Sequence, residues 1–262
     1  MFEDGEAYNR QMGRWSRQLA PLFIEFVGVG PGDHVLDVGC GTGSLAMTIV
    51  AMTAAEKIVG LDFSQGFINF ARAHNRFSQL RLDLGDACAL PYVDQSFDRC
   101  LTLLAVNHIP DAPKAAREMA RVAKSGAVLG AAMWDGTGGN EFNDIMWSVA
   151  ERLDPTVKRP SEKRNSYSSP AAMTELWRQA GLLDIRVEAL TIDCQLQNFT
   201  ELWGKYEEGQ GPGGHYVRSL TDRARAALRD NLFKAVLRGG ADGPFSLKAK
   251  AWAVRGVVPA GV

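Results

Sequence analysis

The residues best suited to chemistry lie at positions 35–43, where an apolar run ends in a carboxylate and then in alternating glycines. The order is Val-Leu-Asp-Val followed by Gly-Cys-Gly-Thr-Gly, and an apolar helical pattern begins at Ser44. Glycine adopts positive φ and leaves room for a ligand against the backbone. A helix that begins after such a turn presents free amides to bound groups. The segment therefore predicts a strand, a glycine turn and a helix that form a nucleotide-type binding site.

Acidic residues end the first three predicted strands, and they are candidates to bind different parts of a ligand. Asp37 lies just before the glycine turn, Asp62 ends an apolar run at 57–63, and Asp86 ends an alternating run at 80–87. In an open parallel sheet, ligands bind at the carboxyl ends of the strands. We therefore expect the three carboxylates to lie at one edge of the sheet.

The spacing suggests a role for each carboxylate. Asp62 follows Gly41 by 21 positions (62 minus 41), the length of one helix plus one strand, and its oxygens can accept hydrogen bonds from a ribose diol. Asp86 could accept a hydrogen bond from an adenine amine, with the backbone N–H of Ala87 beside it. Asp37 could attract a positive charge. The alternative is that each aspartate only caps the turn or helix that follows it.

The elements that must position these residues alternate between strand and helix, which is typical of an α/β, doubly wound and mostly parallel sheet. Apolar spacing predicts a helix through Leu19, Leu22, Phe23, Phe26 and Val27 that ends at the glycines of 28–32. Strands are expected at 35–38, 57–63, 80–87, 97–106 and 127–134, the third at an edge and the fourth in the centre. Helices are expected from Ser64 to about 75 and from Asp111 to about 124, closed by Gly126.

The second half changes character and predicts an insertion between two late strands. A helix is expected at 170–180 and strands at 184–195 and 245–258. The residues between those strands predict helices at 199–208 and 219–238 around a glycine-rich loop at 209–214. Long insertions of this kind usually carry function. We therefore divide the chain into a helical cover at 1–30, a binding core at 31–135, and a remainder at 136–262 with a substrate lid at about 196–244.

Composition limits the classes of function. The chain has 262 residues, a net charge of −1 and 46% hydrophobic residues, so nucleic acid is not expected as a partner. The four cysteines lack metal-type or redox-type spacing and are expected to be small buried residues. The acidic start lacks a signal-peptide pattern, and no apolar run approaches the ~20 residues of a membrane span. We expect a cytoplasmic protein without a metal, either a monomer or a homodimer.

Residues 8–135 resemble the class I S-adenosylmethionine-dependent methyltransferases. The segment 35–43 is similar to that family's first motif, 60–64 to its second, and 85–87 with 90–92 and 96–98 to its third. The segments 107–111 and 118–122 also match, and 8–17 is similar to the N-terminal segment of small-molecule members near the ubiquinone and menaquinone branch. One departure is Lys-Ser-Gly-Ala at 124–127, where the family usually has a Pro-Gly-Gly turn.

The resemblance implies a seven-stranded sheet with an antiparallel last strand, a helical lid, and S-adenosylmethionine as the cofactor with S-adenosylhomocysteine as its product. It implies that the glycine turn holds the methionine part, Asp62 the ribose, and Asp86 and Ala87 the adenine. Phe63 would pack on the adenine ring, and Leu104 would face the methionine end. The residues assigned to the cofactor are Tyr8, Met12, Trp15, Asp37, Gly39, Cys40, Gly41, Gly43, Asp62, Phe63, Asp86, Ala87 and Leu104. Of these, Tyr8, Met12 and Trp15 would form a cover, unless they serve only helix packing.

Methyl transfer to a small-molecule substrate needs alignment and exclusion of water more than it needs reactive side chains. His108 is the candidate general base, required only for a protonated nucleophile, and the alternative is that it fills a turn. Residues predicted for the lid are Tyr167, Trp203, Tyr206 and His215. Two other functions stay open. A nicotinamide-dependent oxidoreductase fits poorly because Ser44 stands where its fingerprint has glycine or alanine. The second of these functions is a protein that binds the cofactor without turnover.

Overall fold

The computed structural model describes residue 6 and residues 13–136, 138–159, 167–208 and 211–260. Within these residues, seven strands form one sheet. They are β1 (His34–Val38), β2 (Lys57–Asp62), β3 (Leu80–Leu84), β4 (Phe97–Leu103), β5 (Ala123–Trp134), β6 (Leu183–Leu196) and β7 (Phe245–Val257). Their order across the sheet is β3-β2-β1-β4-β5-β7-β6. The pairs among β1 to β5 are parallel and β7 is antiparallel to β5, which confirms the predicted mostly parallel sheet.

Several helices begin after a residue whose side chain caps them. In the described residues they are α1 (Arg14–Val27), α2 (Ser44–Met52), α3 (Gln65–His74), α4 (Ala112–Val122), α5 (Glu141–Leu153), α6 (Pro170–Gln179), α7 (Phe199–Glu207), α8 (Gly211–Ser219) and α9 (Asp222–Leu237). The Ser64 hydroxyl accepts from the Phe67 amide, and the Asp111 carboxylate from the Lys114 amide. Both predicted N-caps are thus confirmed. None of these helices is long and apolar enough to cross a membrane.

The core lies on both faces of the parallel strands, because the connecting helices cover them. Leu36, Val59, Cys100 and Leu129 come from four neighbouring strands and are fully buried. By contrast, β3 alternates between buried and exposed residues and lies at the edge of the sheet, as predicted. All four cysteines of the chain are free and buried, which confirms the expectation for them.

Several boundaries differ from the sequence predictions. Strand β3 ends at Leu84, before the predicted end at 87, so Asp86 lies in the loop that follows the strand and does not end the strand itself. Strand β4 ends at Leu103, before the predicted end at 106, because the chain turns into a left-handed residue and a short 3-10 helix. Strand β5 begins at Ala123, so Gly126 lies inside the strand at φ 78° and does not close α4. The glycine-rich residues predicted as a loop instead begin a helix, α8, whose Pro212 occupies the tolerated first turn.

The chain divides into two compact units. The first comprises Met1–Trp134, Ser166–Leu190 and Ala251–Val262, and the second comprises Asp135–Asn165 and Thr191–Lys250. In the first unit, α1 packs on α2 and on β5. In the second, α5 packs against α9, and the Tyr206 hydroxyl donates to the Phe142 carbonyl at 2.8 Å. Each unit therefore has internal packing of its own.

Candidate active site

The glycine turn after β1 has a backbone conformation that only glycine adopts without strain. Gly39, Gly41 and Gly43 have φ of 73°, 53° and 87°. A Cβ on Gly39 would lie 2.5 Å from the Cβ of Ala105, whereas a Cβ on Gly41 would meet nothing within 4 Å. The Leu61 carbonyl fixes the start of the turn, since it accepts from the amides of Gly39 and Cys40 at 2.8 and 3.0 Å. The turn is thus closed on its protein side and open at Gly41.

Asp62 at the end of β2 is joined to this turn by its carboxylate. One oxygen accepts from the Gly41 amide at 2.8 Å and the other from the Ser64 amide at 2.9 Å. The side chain is 5% exposed, and burial raises its pKa while the backbone hydrogen bonds oppose that rise. The Phe63 amide is a third backbone donor that lowers the pKa of this carboxylate. A carboxylate has about four lone-pair sites, so Asp62 retains acceptor capacity for a hydroxyl group of a ribose.

Asp37 lies beneath the turn, with one oxygen paired and the other not. Its Oδ2 accepts from the Ala46 amide at 3.1 Å in α2. Its Oδ1 is buried and has no hydrogen-bond partner among the described residues. Burial raises the pKa of Asp37 to about 7, opposed by the Ala46 hydrogen bond and increased by the charge of Asp62. An orphaned carboxylate oxygen is costly unless a donor or a cation reaches it.

The adenine candidates follow β3 and lie at the surface. Asp86 is exposed and its Oδ1 accepts from the Cys88 amide at 2.8 Å, so the residue forms a tight Asx-type turn. Ala87 is partly buried beside it. The ring of Phe63 is 72% exposed, although it directly follows a buried strand. An exposed aromatic ring at the carboxyl end of β2 is available for stacking on a base.

The chain after β4 forms the far side of the site. Leu104 has φ 63°, an uncommon conformation for leucine, and its amide donates to the Ala132 carbonyl at 2.8 Å. The 3-10 helix Val106–His108 follows. His108 is exposed, and the protein atoms around its ring lower its pKa by desolvation. Desolvation therefore favours the neutral imidazole, the form that can accept a proton.

Asn107, between Val106 and His108, has a role that the sequence analysis did not predict. Its Nδ2 donates to the Ser168 hydroxyl and its Oδ1 accepts from the Tyr167 amide, both at 2.8 Å. These bonds hold Tyr167 beside the turn that carries His108. The signal in the sequence was weak, because 60 residues separate Asn107 from Tyr167.

The remaining predicted residues are those of the cover and the lid. Tyr8 and Met12 lie outside the described residues. Trp15 is 2% exposed in α1, with the Arg14 guanidinium 3.9 Å from its ring centroid, so its role as part of a cover stays a prediction. In the second unit Trp203 and Tyr206 are buried, whereas His215 is exposed. Packing within that unit accounts for the first two.

Comparison with known proteins identifies the family. Residues 36–130 match the family model of a methyltransferase domain. The chain is 34% identical over 218 residues to a demethylmenaquinone methyltransferase of Symbiobacterium thermophilum, covering 72% of this chain and 84% of that protein. The chain is therefore a member of the class I S-adenosylmethionine-dependent methyltransferases.

Solved structures agree on the fold. A protein of Haloferax volcanii, solved in complex with the Trm112 methyltransferase activator, superposes with a TM-score of 0.59 at 21% identity, over 99% of this chain and 97% of that one. A phosphoethanolamine N-methyltransferase 2 of Haemonchus contortus, in complex with S-adenosyl-L-methionine, gives 0.58 at 18% identity, over 98% of this chain and 57% of that one.

The site residues fit the cofactor of this family, S-adenosylmethionine. The orphaned oxygen of Asp37 suits the positively charged methionine end, and the open side of Gly41 leaves space against the backbone. The remaining acceptor capacity of the Asp62 carboxylate suits a ribose hydroxyl, and the exposed ring of Phe63 suits an adenine. When bound, the cofactor supplies a methyl group on a sulfonium that is already activated for displacement.

Proposed function

We propose that this methyltransferase methylates a small hydroxylated aromatic acceptor with an apolar body, a substrate class that includes reduced naphthoquinones. The observation that carries the proposal is the similarity to a demethylmenaquinone methyltransferase, because it extends over 84% of that protein and beyond the cofactor-binding core. The net charge of −1 agrees with a small neutral acceptor, since it gives no attraction for nucleic acid.

The residues of this chain would contribute mainly alignment. The glycine turn, Asp37 and Asp62 would hold the cofactor, with Asp86, Ala87 and Phe63 on its adenine. Leu104 would limit the space on the methionine side and exclude water from it. His108 is the proposed general base, because it lies just beyond β4 and desolvation lowers its pKa, which favours the neutral form. An electron-rich hydroxylated ring needs only the removal of one proton, so a single base suffices.

The second unit is the proposed source of acceptor specificity. Residues 196–244, which we propose as the lid, connect β6 to β7 and include most of that unit's helices. An insertion of this length between strands of an open sheet usually serves binding. Tyr8, Met12 and Trp15 are proposed as a cover over the cofactor. A cytoplasmic location and a monomeric or homodimeric state complete the proposal.

Mass spectrometry of acceptor panels tests the proposal. The protein is incubated with methyl-labelled S-adenosylmethionine and three panels: reduced 2-substituted 1,4-naphthoquinones, simple phenols and catechols, and primary amines. We expect label in the first panel or the second. Label in amines alone would overturn the acceptor class. Binding of S-adenosylhomocysteine without transfer to any panel would favour a protein that binds the cofactor without turnover.

A further inference from the structure

The segment that carries Asp86 and Ala87 has no regular secondary structure of its own. Residues 86–96, which we call the adenine loop, connect the edge strand β3 to β4. A loop at the edge of a sheet lacks the strand pairing that fixes the glycine turn. Its conformation therefore depends on side chains that reach it from elsewhere.

Arg121 on α4 provides most of these contacts. Its Nη1 donates to the Tyr92 carbonyl at 2.9 Å and to the Asp94 carboxylate at 2.6 Å. Its Nη2 donates to the Leu90 carbonyl at 3.0 Å. One guanidinium thus binds every second residue of the adenine loop from Leu90 to Asp94, which makes three residues in all. The planar, forked group of arginine suits this task, and a lysine ammonium does not.

Glu118, one turn earlier on α4, completes the arrangement. Its Oε2 accepts from the Leu90 amide at 2.9 Å, and its Oε1 accepts from Arg121 Nε at 2.8 Å. The pair therefore holds both the N–H and the carbonyl of Leu90. The Arg121 side chain is 33% exposed and the Glu118 side chain 21%, so both are partly shielded from water.

Two further contacts hold the loop on its other side. The Tyr92 hydroxyl donates to the Asp83 carboxylate at 3.0 Å, and the ring packs edge-on against Phe97 at 5.3 Å between centroids. The Tyr92 side chain thus holds the loop to β3, while its carbonyl is held from α4 through Arg121. The start of the loop is held locally, because the Gly85 amide donates to the Asp62 carbonyl at 2.9 Å and the Cys88 amide to the Asp86 carboxylate at 2.8 Å. The contacts from α4 therefore fix the part of the loop that follows Asp86 and Ala87.

We propose that Glu118 and Arg121 are positioning residues for cofactor recognition: they hold the adenine loop so that Asp86 and Ala87 can read the amine edge of adenine. The inference rests on the assignment of adenine to these two residues in the proposed function. Neither Glu118 nor Arg121 needs to touch the cofactor. Loss of either side chain would therefore weaken recognition of the adenine and leave binding of the ribose and the methionine part unchanged.

The test compares two ligands by calorimetry: S-adenosylhomocysteine and S-inosylhomocysteine, in which a carbonyl replaces the adenine amine. For Arg121→Met we expect about a tenfold loss of affinity for the adenosyl ligand and little change for the inosyl ligand. Discrimination between the two should therefore collapse. Arg121→Lys should recover only part of it. Glu118→Gln preserves the size of the side chain and should also reduce the discrimination between the adenosyl and inosyl ligands.

A matched control exists in the first unit. Glu175 and Arg178 on α6 form the same i, i+3 pair, with Arg178 Nη2 2.6 Å from Glu175 Oε1, but Arg178 is 67% exposed. Arg178→Met should leave discrimination unchanged. If Arg121→Met lowered the affinity for both ligands by the same factor, the proposal would be overturned. The same conclusion would follow if the wild-type protein bound both ligands with equal affinity. Wild-type protein that binds neither would instead contradict the proposed function, which is a distinguishable result.

Discussion

The carboxylate of Asp62 and the amide of Gly41 are joined by a hydrogen bond of 2.8 Å between residues 21 positions apart. The bond links the end of β2 to the glycine turn after β1. The residue proposed to hold the ribose therefore also shapes the turn proposed to hold the methionine part. Any change at Asp62 acts on both.

Asp62→Ala should weaken binding of S-adenosylhomocysteine by on the order of 2–3 kcal/mol, because charge-assisted hydrogen bonds are lost. Isothermal titration calorimetry measures the change. Asp230→Ala, which removes an exposed aspartate of α9, is the control and should bind normally. An affinity unchanged by Asp62→Ala would end the ribose assignment.

Asp37 should make the free protein less stable as the pH rises. Its folded pKa of about 7 exceeds the ordinary aspartate pKa of 3.8, so between these values the native state retains a proton that the unfolded state has lost. That stabilising contribution is fully present below the unfolded pKa and is lost as pH rises through the folded pKa, a change of roughly 4 kcal/mol at most.

Thermal unfolding from about pH 5 to about pH 8 tests this dependence. Asp37→Asn should flatten the profile, because the amide oxygen can still accept from Ala46 and carries no charge to bury. A variant whose melting temperature falls with pH as steeply as that of the wild type would show that Asp37 is not the cause.

Gly41→Ala should abolish cofactor binding at a small cost in stability. Its φ of 53° costs a non-glycine residue about 1–2 kcal/mol, and the new methyl group would point into open space. Gly32→Ala is the matched control, since Gly32 has φ 77°, nothing within 4 Å, and lies before β1.

We expect similar melting temperatures for the two variants and retained binding of S-adenosylhomocysteine in Gly32→Ala alone. Equal affinity in both variants would show that the cofactor does not lie against Gly41.

His108→Gln should retain cofactor binding, because the residue lies beyond β4 and is assigned to the acceptor. If His108 is the base, turnover should fall about 10²-fold or more and the acidic limb of the pH–rate profile should disappear. That limb lies below the ordinary histidine pKa, since desolvation lowers the value. A variant with unchanged turnover and an unchanged profile would assign His108 to filling the turn.

The sequence predicted the positions of the strands along the chain and the glycine turn because both follow from local patterns. Apolar runs, Ser64 as an N-cap and the acidic strand ends are properties of neighbouring residues. The start of β5 was missed because Gly126 looks like a helix terminator. In the structure Gly126 lies inside the strand, at a register shift between β4 and β5, and its amide donates to the Val258 carbonyl at 3.0 Å. The helix α8 was missed because glycine lowers helix propensity.

Tertiary packing explains that second error. A Cβ on Gly213 would lie 2.9 Å from Met146 Cε, so the glycine permits close approach of α8 to α5. The contacts of Arg121 and Asn107 were missed for a similar reason. Both side chains bind backbone groups of distant segments. Because almost every residue has a backbone N–H and a carbonyl, the sequence does not show which distant residue such a side chain will bind.

The second unit is made of two separate pieces of chain, Asp135–Asn165 and Thr191–Lys250. Its helices α5 and α9, which pack together, come from different pieces. An engineer who wished to transplant this unit from a relative would therefore have to exchange both pieces at once. Exchange of 191–250 alone would leave the helix of the other piece packed against a foreign partner.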